Sequence, residues 1–259
     1  CFTQDDAHIF MRRDQITEEI VGVVHLINEV YSKFGFKYFV ELSTRPENSM
    51  GSDEDWEAAT EGLKNALEKL NLPYIINEGD GAFYGPKIDF HLEDSLGRTW
   101  QCGTIQLDFQ MPLNFNLEYT DEKGEKQRPI MIHRVCFGSI ERFIGVLTEH
   151  YAGKFPVWLA PTQAKVLLVS EKCAEYGHKV YDALREAKVR VELDDRNEKI
   201  GYMIREAQVV GRVPYMLVIG QKEAEDGTVS VRLRDSGETL TMTLDEFIAK
   251  IKGEIADRV

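Results

Sequence analysis

The hydrophobic pattern of the first part of the chain predicts helices and strands in mixed order. Apolar residues recur near the helical spacing from Ile20 to Tyr31, which predicts a helix that Asp14 caps and Gly35 ends. Residues 87–93 alternate between polar and apolar side chains, as expected of a half-buried strand. The full prediction for this part is helices over 14–31, 52–70 and 138–151, and strands over 37–42, 87–93, 99–109 and 130–135.

In the second part of the chain, strands and helices alternate more regularly. Strand–helix–strand order at this spacing predicts α/β structure with a mostly parallel sheet covered by helices. Two prolines break regular structure between the two patterns. We therefore predict two domains, 1–155 and 162–259, joined by a linker at 156–161. The predicted strands of the second domain are 164–170, 189–194, 215–219 and 228–234, and its helices are 172–187, 199–210 and 243–257.

The formal net charge of the chain is −13, which argues against a general nucleic-acid binder. The charge is uneven. Residues 162–259 hold 16 basic and 18 acidic residues, a net of −2, so the remaining −11 belongs to the first part. A polyanionic partner would therefore meet the second part, through local arginines rather than through a general field.

The cysteines and the hydropathy of the chain bear on its cellular location. The four cysteines are far apart and form no CxxC pair, which fits a reducing compartment and a cytoplasmic location. No apolar run approaches the ~18 residues of a membrane span, so we predict no membrane partner. The chain does not begin with methionine, which suggests that it starts inside a larger protein.

The opening run CFTQDDAHIF places an amide, two carboxylates and an imidazole between apolar residues. Polar groups in such surroundings are costly unless they are satisfied, so the run marks a candidate site. In a strand, Gln4, Asp6 and His8 would share one face, and Asp5 would point to the opposite face. We therefore predict that Asp6 reaches the site and that Asp5 has a structural role.

Ser139 and Arg142 lie at the start of a predicted helix, where Ser139 is a suitable N-cap. A cation in the first turn is locally unfavourable, because the positive end of the helix dipole prefers anions. The placement becomes reasonable if a phosphate docks between the free N–H groups and Arg142. The alternative is an exposed arginine that pairs with a neighbouring glutamate.

His8 and His133 fall in predicted strands or at a strand end. Lone histidines are more often packed and hydrogen-bonded than metal-bound, and the spacing alone cannot show that these two meet. Together with a cysteine they would form an open zinc site. Other polar residues could line a site or have an ordinary structural role. Tyr84 and Lys87 also fit an ordinary loop, and the polar residues of strand 99–109 also fit a solvated face.

In the second domain, a polar turn at 194–201 and several strand ends carry residues that could read exposed bases. Arginine can contact base edges or stack on bases, and glutamate can accept from exocyclic amines. The alternative is a solvated rim. The candidates are Asn197, Lys199, Arg212, Glu223 and Arg232.

Eight strings, in order along essentially the whole chain, resemble threonyl-tRNA synthetases, a class II family. The resemblance implies the distal part of an α+β class II catalytic domain on an antiparallel sheet, followed by an α/β anticodon-binding domain. The strings are FTQDDAHIF (2–10), LSTRPE (42–47), AFYGPKIDF (82–90), QCGTIQLDF (101–109), MIHR (131–134), GSIERFIGVLTE (138–149), WLAP (158–161) and RNEKIGYMIRE (196–206).

This resemblance implies a function and its partners. The family activates threonine with ATP, accompanied by Mg²⁺, and transfers it to the 3′ adenosine of threonine tRNA. Zn²⁺ holds the threonine, and the family forms homodimers; neither DNA nor a membrane is an expected partner. The residue roles that follow are zinc ligation by His8 and His133, acceptance from the threonine hydroxyl by Asp6, substrate and ATP binding by Gln4, Tyr84, Lys87, Gln101, Gln106 and Ser139, and phosphate binding by the catalytic Arg142.

The resemblance also implies that parts of the site lie upstream of this chain. These are the cysteine that provides the third zinc ligand, the arginine of motif 2, and motif 1. We therefore expect little or no aminoacylation by the isolated chain. Alternatives are a non-catalytic anticodon-binding fragment and another synthetase of the same subclass. Residues 209–212 depart from the family pattern by about one extra residue, so the match of Arg212 to an anticodon-binding position rests on a shifted alignment, unlike that of Glu223 or Arg232.

Overall fold

Two β-sheets organise the chain, one within Cys1–His150 and one within Tyr151–Val259. The structure is a computed structural model and describes residues 1–259. None of its helices combines the length and the apolar character that crossing a membrane requires.

The first unit contains a six-stranded sheet with strand order β1-β8-β5-β4-β2-β3, and a separate two-stranded ribbon, β6-β7. Every pairing in the six-stranded sheet is antiparallel except that of β2 with β3. The elements are β1 (Ala7–Met11), α1 (Ile16–Phe34), β2 (Tyr38–Ser43), α2 (Asp53–Lys69), β3 (Ile75–Asn77), β4 (Lys87–Glu93), β5 (Thr99–Asp108), α3 (Gln110–Asn114), β6 (Tyr119–Thr120), β7 (Lys126–Gln127), β8 (Ile130–Val135) and α4 (Ile140–His150).

Helix α1 forms where the apolar periodicity predicts it, and Gly35 ends it in the left-handed conformation, with φ of 72°. The prediction that Asp14 caps this helix is wrong. Asp14 lies in a 3₁₀ turn, Arg13–Gln15, and its carboxylate accepts two hydrogen bonds from the Arg12 guanidinium. Because that carboxylate is already engaged, the α-helix starts only at Ile16.

Alternation along β4 separates an apolar face from a polar face of the sheet. Ile88, Phe90 and Leu92 are fully buried. Lys87 and Asp89 point to the other face, since successive strand residues alternate in direction. The sheet therefore has one side that forms the core and one side that carries polar chemistry.

The second unit contains a five-stranded sheet with strand order β10-β9-β11-β12-β13. Pairings β10–β9 and β9–β11 are parallel, and pairings β11–β12 and β12–β13 are antiparallel. Its elements are β9 (Ala164–Leu168), α5 (Ala174–Glu186), β10 (Val191–Asp194), α6 (Ile200–Arg205), β11 (Tyr215–Ile219), α7 (Gln221–Asp226), β12 (Thr228–Leu233), β13 (Thr239–Thr243) and α8 (Leu244–Asp257).

The predicted mostly parallel sheet is thus a mixed one. The connections from β11 to β12 and from β12 to β13 are too short for the crossover that parallel strands need, so these strands turn back as neighbours. Strand β13 and the short helix α7 were not predicted. The predicted helix over 199–210 is helical from Ile200 to Val210, but its second half, Glu206–Val210, is a π-turn, which is how a helix takes in one extra residue.

Candidate functional site

Strand register aligns four polar side chains across the first sheet. His8 of β1 lies opposite His133 of β8, and His133 lies opposite Gln106 of β5. Gln106 in turn lies opposite Lys87 of β4. Residues directly opposite one another on antiparallel strands point to the same face. The fold therefore gathers residues that are distant in sequence into one row on the polar face.

At the β1 end of this row, Asp6, His8 and His133 form a group that could hold a metal. Their ligand atoms all lie within 4.8 Å of one another, and the two imidazole rings meet edge to face at 4.7 Å. Around a tetrahedral zinc, donors at ~2.0–2.1 Å from the metal are about 3.4 Å apart. Small side-chain rotations would bring these groups to that spacing, so the donors present fit a zinc ion. No cysteine belongs to the group.

The predicted strand covering Gln4, Asp6 and His8 is only partly observed. Strand β1 starts at Ala7, so of these three only His8 lies in it. Gln4 instead forms an isolated bridge with Ser139, which ties the chain start to the beginning of α4. Asp6 still meets His8, with 3.9 Å between Oδ2 and Nε2.

Asp5 has the structural position predicted for it. Its carboxylate accepts hydrogen bonds from the backbone N–H groups of Cys136, Phe137 and Gly138 at 2.8–3.1 Å. These bonds hold the turn that connects β8 to α4. Asp5 therefore supports the backbone of this turn. Asp6 instead lies beside His8 in the candidate metal group.

Tyr84 reaches the same row from the loop before β4. Its hydroxyl donates to Oε1 of Gln106 at 2.7 Å. Burial, together with the negative charges of Asp108 and Asp6, raises the pKa of Tyr84 to about 12, so it stays a hydroxyl at neutral pH. Gly85 makes this approach possible, since a Cβ there would lie 1.8 Å from the carbonyl oxygen of Leu107.

Asp89 is a buried carboxylate that sequence reasoning missed. It is 1% exposed and lies on the polar face, two residues from Lys87 on β4. The alternation of 87–93 was the signal that could have found it. Four donors bond to it: Lys87 Nζ at 2.6 Å, Ser43 Oγ at 3.0 Å, Gln101 Nε2 at 2.6 Å and Thr104 Oγ1 at 3.0 Å.

This network also determines the charge state of Lys87. Burial lowers the pKa of Lys87, but hydrogen bonds and charges from Asp89 and Asp80 outweigh burial and raise the pKa above its ordinary value. The ammonium donates to Asp80 as well, at 3.2 Å. Lys87 is therefore a fixed cation on the polar face.

Ser139 caps the start of α4, where its Oγ accepts from the Arg142 N–H at 3.4 Å. The alternative of an Arg142–glutamate pair is not observed, because Glu141 accepts from the Thr3 N–H and Arg142 makes no ion pair. The exposed Arg142 guanidinium lies 5.6 Å from the centre of the Trp100 ring.

A cavity of about 410 Å³ opens at this helix start. Four predicted substrate or phosphate residues line it, from the chain start, β5 and α4. These four are Gln4, Gln101, Ser139 and Arg142, and Thr104 lines the cavity beside them.

The candidate anticodon residues are arranged differently. Asn197 and Lys199 are exposed in the turn before α6. Glu223 accepts from the Gly220 N–H and from Ser230 Oγ, so both of its oxygens are engaged. Arg232 donates to the Gly237 carbonyl at 2.6 Å and lies two residues from Ser230 on β12, which places the two on one face.

Arg212 has a different environment from the other candidates. Its backbone is left-handed, with φ of 49°, and follows the π-turn. Its guanidinium donates to the carbonyl of Ala152. The structure therefore brings Glu223 and Arg232 to a common neighbour, Ser230, whereas Arg212 contacts a different segment.

Two protein-family models match the chain. The tRNA synthetase class II core domain (G, H, P, S and T) matches residues 1–151, and the anticodon binding domain matches residues 163–254. The chain belongs to the class II aminoacyl-tRNA synthetases.

Individual relatives show which class II synthetases this chain is similar to. The chain is 67% identical over 258 residues to the threonine–tRNA ligase of Acetivibrio thermocellus and 64% identical over 257 residues to that of Caldanaerobacter subterraneus subsp. tengcongensis. These matches cover 100% and 99% of the chain but 40% of each relative. The crystal structure of the RNA binding domain of threonyl-tRNA synthetase from Cryptosporidium parvum Iowa II matches with a TM-score of 0.89 and 44% identity, over 97% of this chain and 63% of that one.

Proposed function

We propose that the chain is the part of a threonine–tRNA ligase that binds threonine, ATP and the tRNA anticodon. The observation that carries this proposal is the convergence of Asp6, His8 and His133 within 4.8 Å on the polar sheet face. The threonine–tRNA ligase relatives at 62–67% identity support it. Because the chain spans about 40% of those relatives, the activity of the whole protein is part of the proposal.

In this proposal His8 and His133 hold a zinc ion, and its chemistry is to bind the amino and hydroxyl groups of threonine as a Lewis acid. Asp6 accepts from the threonine hydroxyl. Tyr84 and Gln106, joined by their hydrogen bond, present polar groups to the amino acid from the neighbouring strand.

Such a pocket would reject valine strongly, because valine would leave the polar groups around Asp6 unpaired; rejection of this kind reaches about 10⁴–10⁵-fold. Serine keeps the hydroxyl and loses only a methyl group, a difference of about 1–3 kcal/mol. The pocket is therefore expected to separate threonine from valine far better than threonine from serine.

The cavity at the start of α4 is the proposed ATP site. Arg142 and the N-terminal N–H groups of the helix would bind the phosphates, which Mg²⁺ would accompany, and Gln101 and Ser139 would line the nucleotide pocket. Lys87 is a fixed cation that would add positive charge on the same sheet face.

The second unit is the proposed anticodon reader, through Asn197, Lys199, Glu223 and Arg232, with Arg212 in a weaker role. The family-model match over residues 163–254 supports this. We also propose the domain limits 1–155 and 162–259, a homodimeric assembly and a cytoplasmic location.

Threonine-dependent ATP–pyrophosphate exchange tests the proposal. We expect robust exchange from the complete ligase that contains this chain, and its loss on His133→Ala. We expect little or no exchange from the 259-residue chain alone, since no cysteine belongs to its metal group. Threonine-independent exchange by the complete protein would overturn the proposed substrate.

A further inference from the structure

Asp108, the last residue of β5, contacts His133 on the polar face of the sheet. Its Oδ2 lies 2.9 Å from Nε2 of His133. The side chain of Asp108 is fully buried, and nothing in the sequence analysis singled it out. Its position follows from register, because Asp108 lies opposite Met131, two residues before His133 on β8.

The backbone fixes the orientation of the Asp108 carboxylate. Its Oδ1 accepts hydrogen bonds from the N–H groups of Gln110 and Met111 at 2.8 and 2.9 Å. Oδ2 is therefore the oxygen that remains for His133. A carboxylate oxygen can only accept, so Nε2 of His133 must carry the hydrogen that it donates.

We propose that Asp108 is a positioning residue that holds His133 with Nε2 protonated and Nδ1 free to bind the metal. This inference rests on the proposed zinc function and deepens it. Metal-binding histidines commonly donate their second N–H to a carboxylate, which orients the ring and strengthens its donor nitrogen. Asp108 performs this task for one of the two proposed histidine ligands.

Asp108→Asn is the informative variant. The backbone N–H groups of Gln110 and Met111 keep an oxygen at the Oδ1 position, so the amide NH₂ takes the place of Oδ2. That NH₂ can only donate, and His133 would accept it at Nε2. The ring would then carry its hydrogen on Nδ1, the nitrogen that the metal needs. We expect Zn²⁺ affinity to fall by about 10–100-fold.

Asp94→Asn is the matched control. Asp94 is also a buried aspartate whose Oδ1 accepts two backbone N–H groups, those of Leu96 and Arg98. It lies before the opposite end of β5 and contacts neither histidine. This variant loses a comparable buried charge, and we expect it to leave Zn²⁺ affinity unchanged.

The experiment is a competition titration of the complete ligase that contains this chain with Zn²⁺ and a chelator, for the wild type and for Asp108→Asn, Asp94→Asn and His133→Ala. If the wild type binds Zn²⁺ and Asp108→Asn binds it equally well, the role of Asp108 is overturned while the zinc proposal stands. If the wild type takes up no Zn²⁺, both fall.

Long-range ¹⁵N–¹H NMR of ¹⁵N-histidine-labelled, metal-free chain gives a second readout that needs no metal. It is recorded above the ordinary histidine pKa of about 6.5, with His133→Ala assigning the signal. We expect the wild type to show the Nε2–H form and Asp108→Asn the Nδ1–H form. An Nδ1–H form in the wild type overturns the inference, even if Asp108→Asn fails to fold.

Discussion

The polar face of the first sheet and the anticodon candidates of the second unit are built in different ways. On the first sheet, register brings together residues as far apart in sequence as His8 and His133, and the buried carboxylate of Asp108 contacts His133. In the second unit, Glu223 and Arg232 also hold nearby turns, through Gly220 and Gly237.

This difference predicts different consequences of substitution. On the first sheet, a single carboxylate such as Asp89 accepts hydrogen bonds from several neighbours. Removing it should therefore disturb several side chains across the polar face. In the second unit, Glu223 and Arg232 form their hydrogen bonds within seven residues of their own positions, so the loss of either should have a local effect.

Asp89→Asn should destabilise the chain by about 3–5 kcal/mol, because it leaves the buried ammonium of Lys87 without its closest charge partner. Urea denaturation measures the loss. Glu192→Gln, which removes a more exposed partner of Lys165, is the control and should cost at most about 1 kcal/mol. Equal losses of stability in the two variants would show that the hydrogen bonds around Asp89 add no more stability than an exposed ion pair.

Arg142→Ala, in the complete ligase, should reduce ATP–pyrophosphate exchange by about 10²–10³-fold, since a preorganised cation would be lost at the phosphates. The control is Arg98→Ala, an arginine that also stacks on Trp100 but binds Asp94 and Glu149 outside the cavity. A similar loss of exchange for both arginines would argue against phosphate binding at the start of α4.

Arg232→Ala should weaken the binding of threonine tRNA by about 1–3 kcal/mol, as expected of a side chain that reads bases. It should weaken the binding of other tRNAs by less. Filter binding at fixed salt measures this. The exposed Arg205 of α6 provides a control through Arg205→Ala. An equal loss of affinity for all tRNAs would mean that Arg232 contacts phosphate or only holds its turn.

Tyr84 should contribute a small pH dependence of stability. Its pKa is raised to about 12 in the folded chain, against about 10 for an unfolded tyrosine. The folded state therefore holds this proton more tightly, and the stabilisation is complete below about pH 10 and lost as pH rises towards 12. Urea midpoints between pH 9 and 12 should fall less steeply for Tyr84→Phe than for Tyr202→Phe, an exposed control. Parallel curves would contradict the burial of the Tyr84 hydroxyl.

Local patterns predicted much of the fold. The predicted strands over 87–93, 130–135 and 215–219 coincide with β4, β8 and β11, because alternation or a continuous apolar run is strong there. The mixed character of the second sheet was missed because β13 was not predicted, although its residues Thr-Leu-Thr-Met-Thr alternate between polar and apolar side chains.

The site was harder to predict from residues alone. No local spacing relates His8 to His133, and only the pairing of β1 with β8 brings them together. The residues alone made the two histidines candidates with no partner fixed by spacing, and the resemblance to a known family assigned both as zinc ligands. Asp89 and Asp108 escaped notice because their importance lies in burial and in hydrogen bonds formed across strands.

His8 and His133 are proposed to form a zinc site on the polar face of the first sheet. The test is an anomalous difference map at the zinc absorption edge, from crystals of the complete ligase grown with Zn²⁺. We predict a peak about 2.0–2.1 Å from one ring nitrogen of each histidine. A map with no peak between these two rings, in crystals that contain Zn²⁺, would contradict the claim.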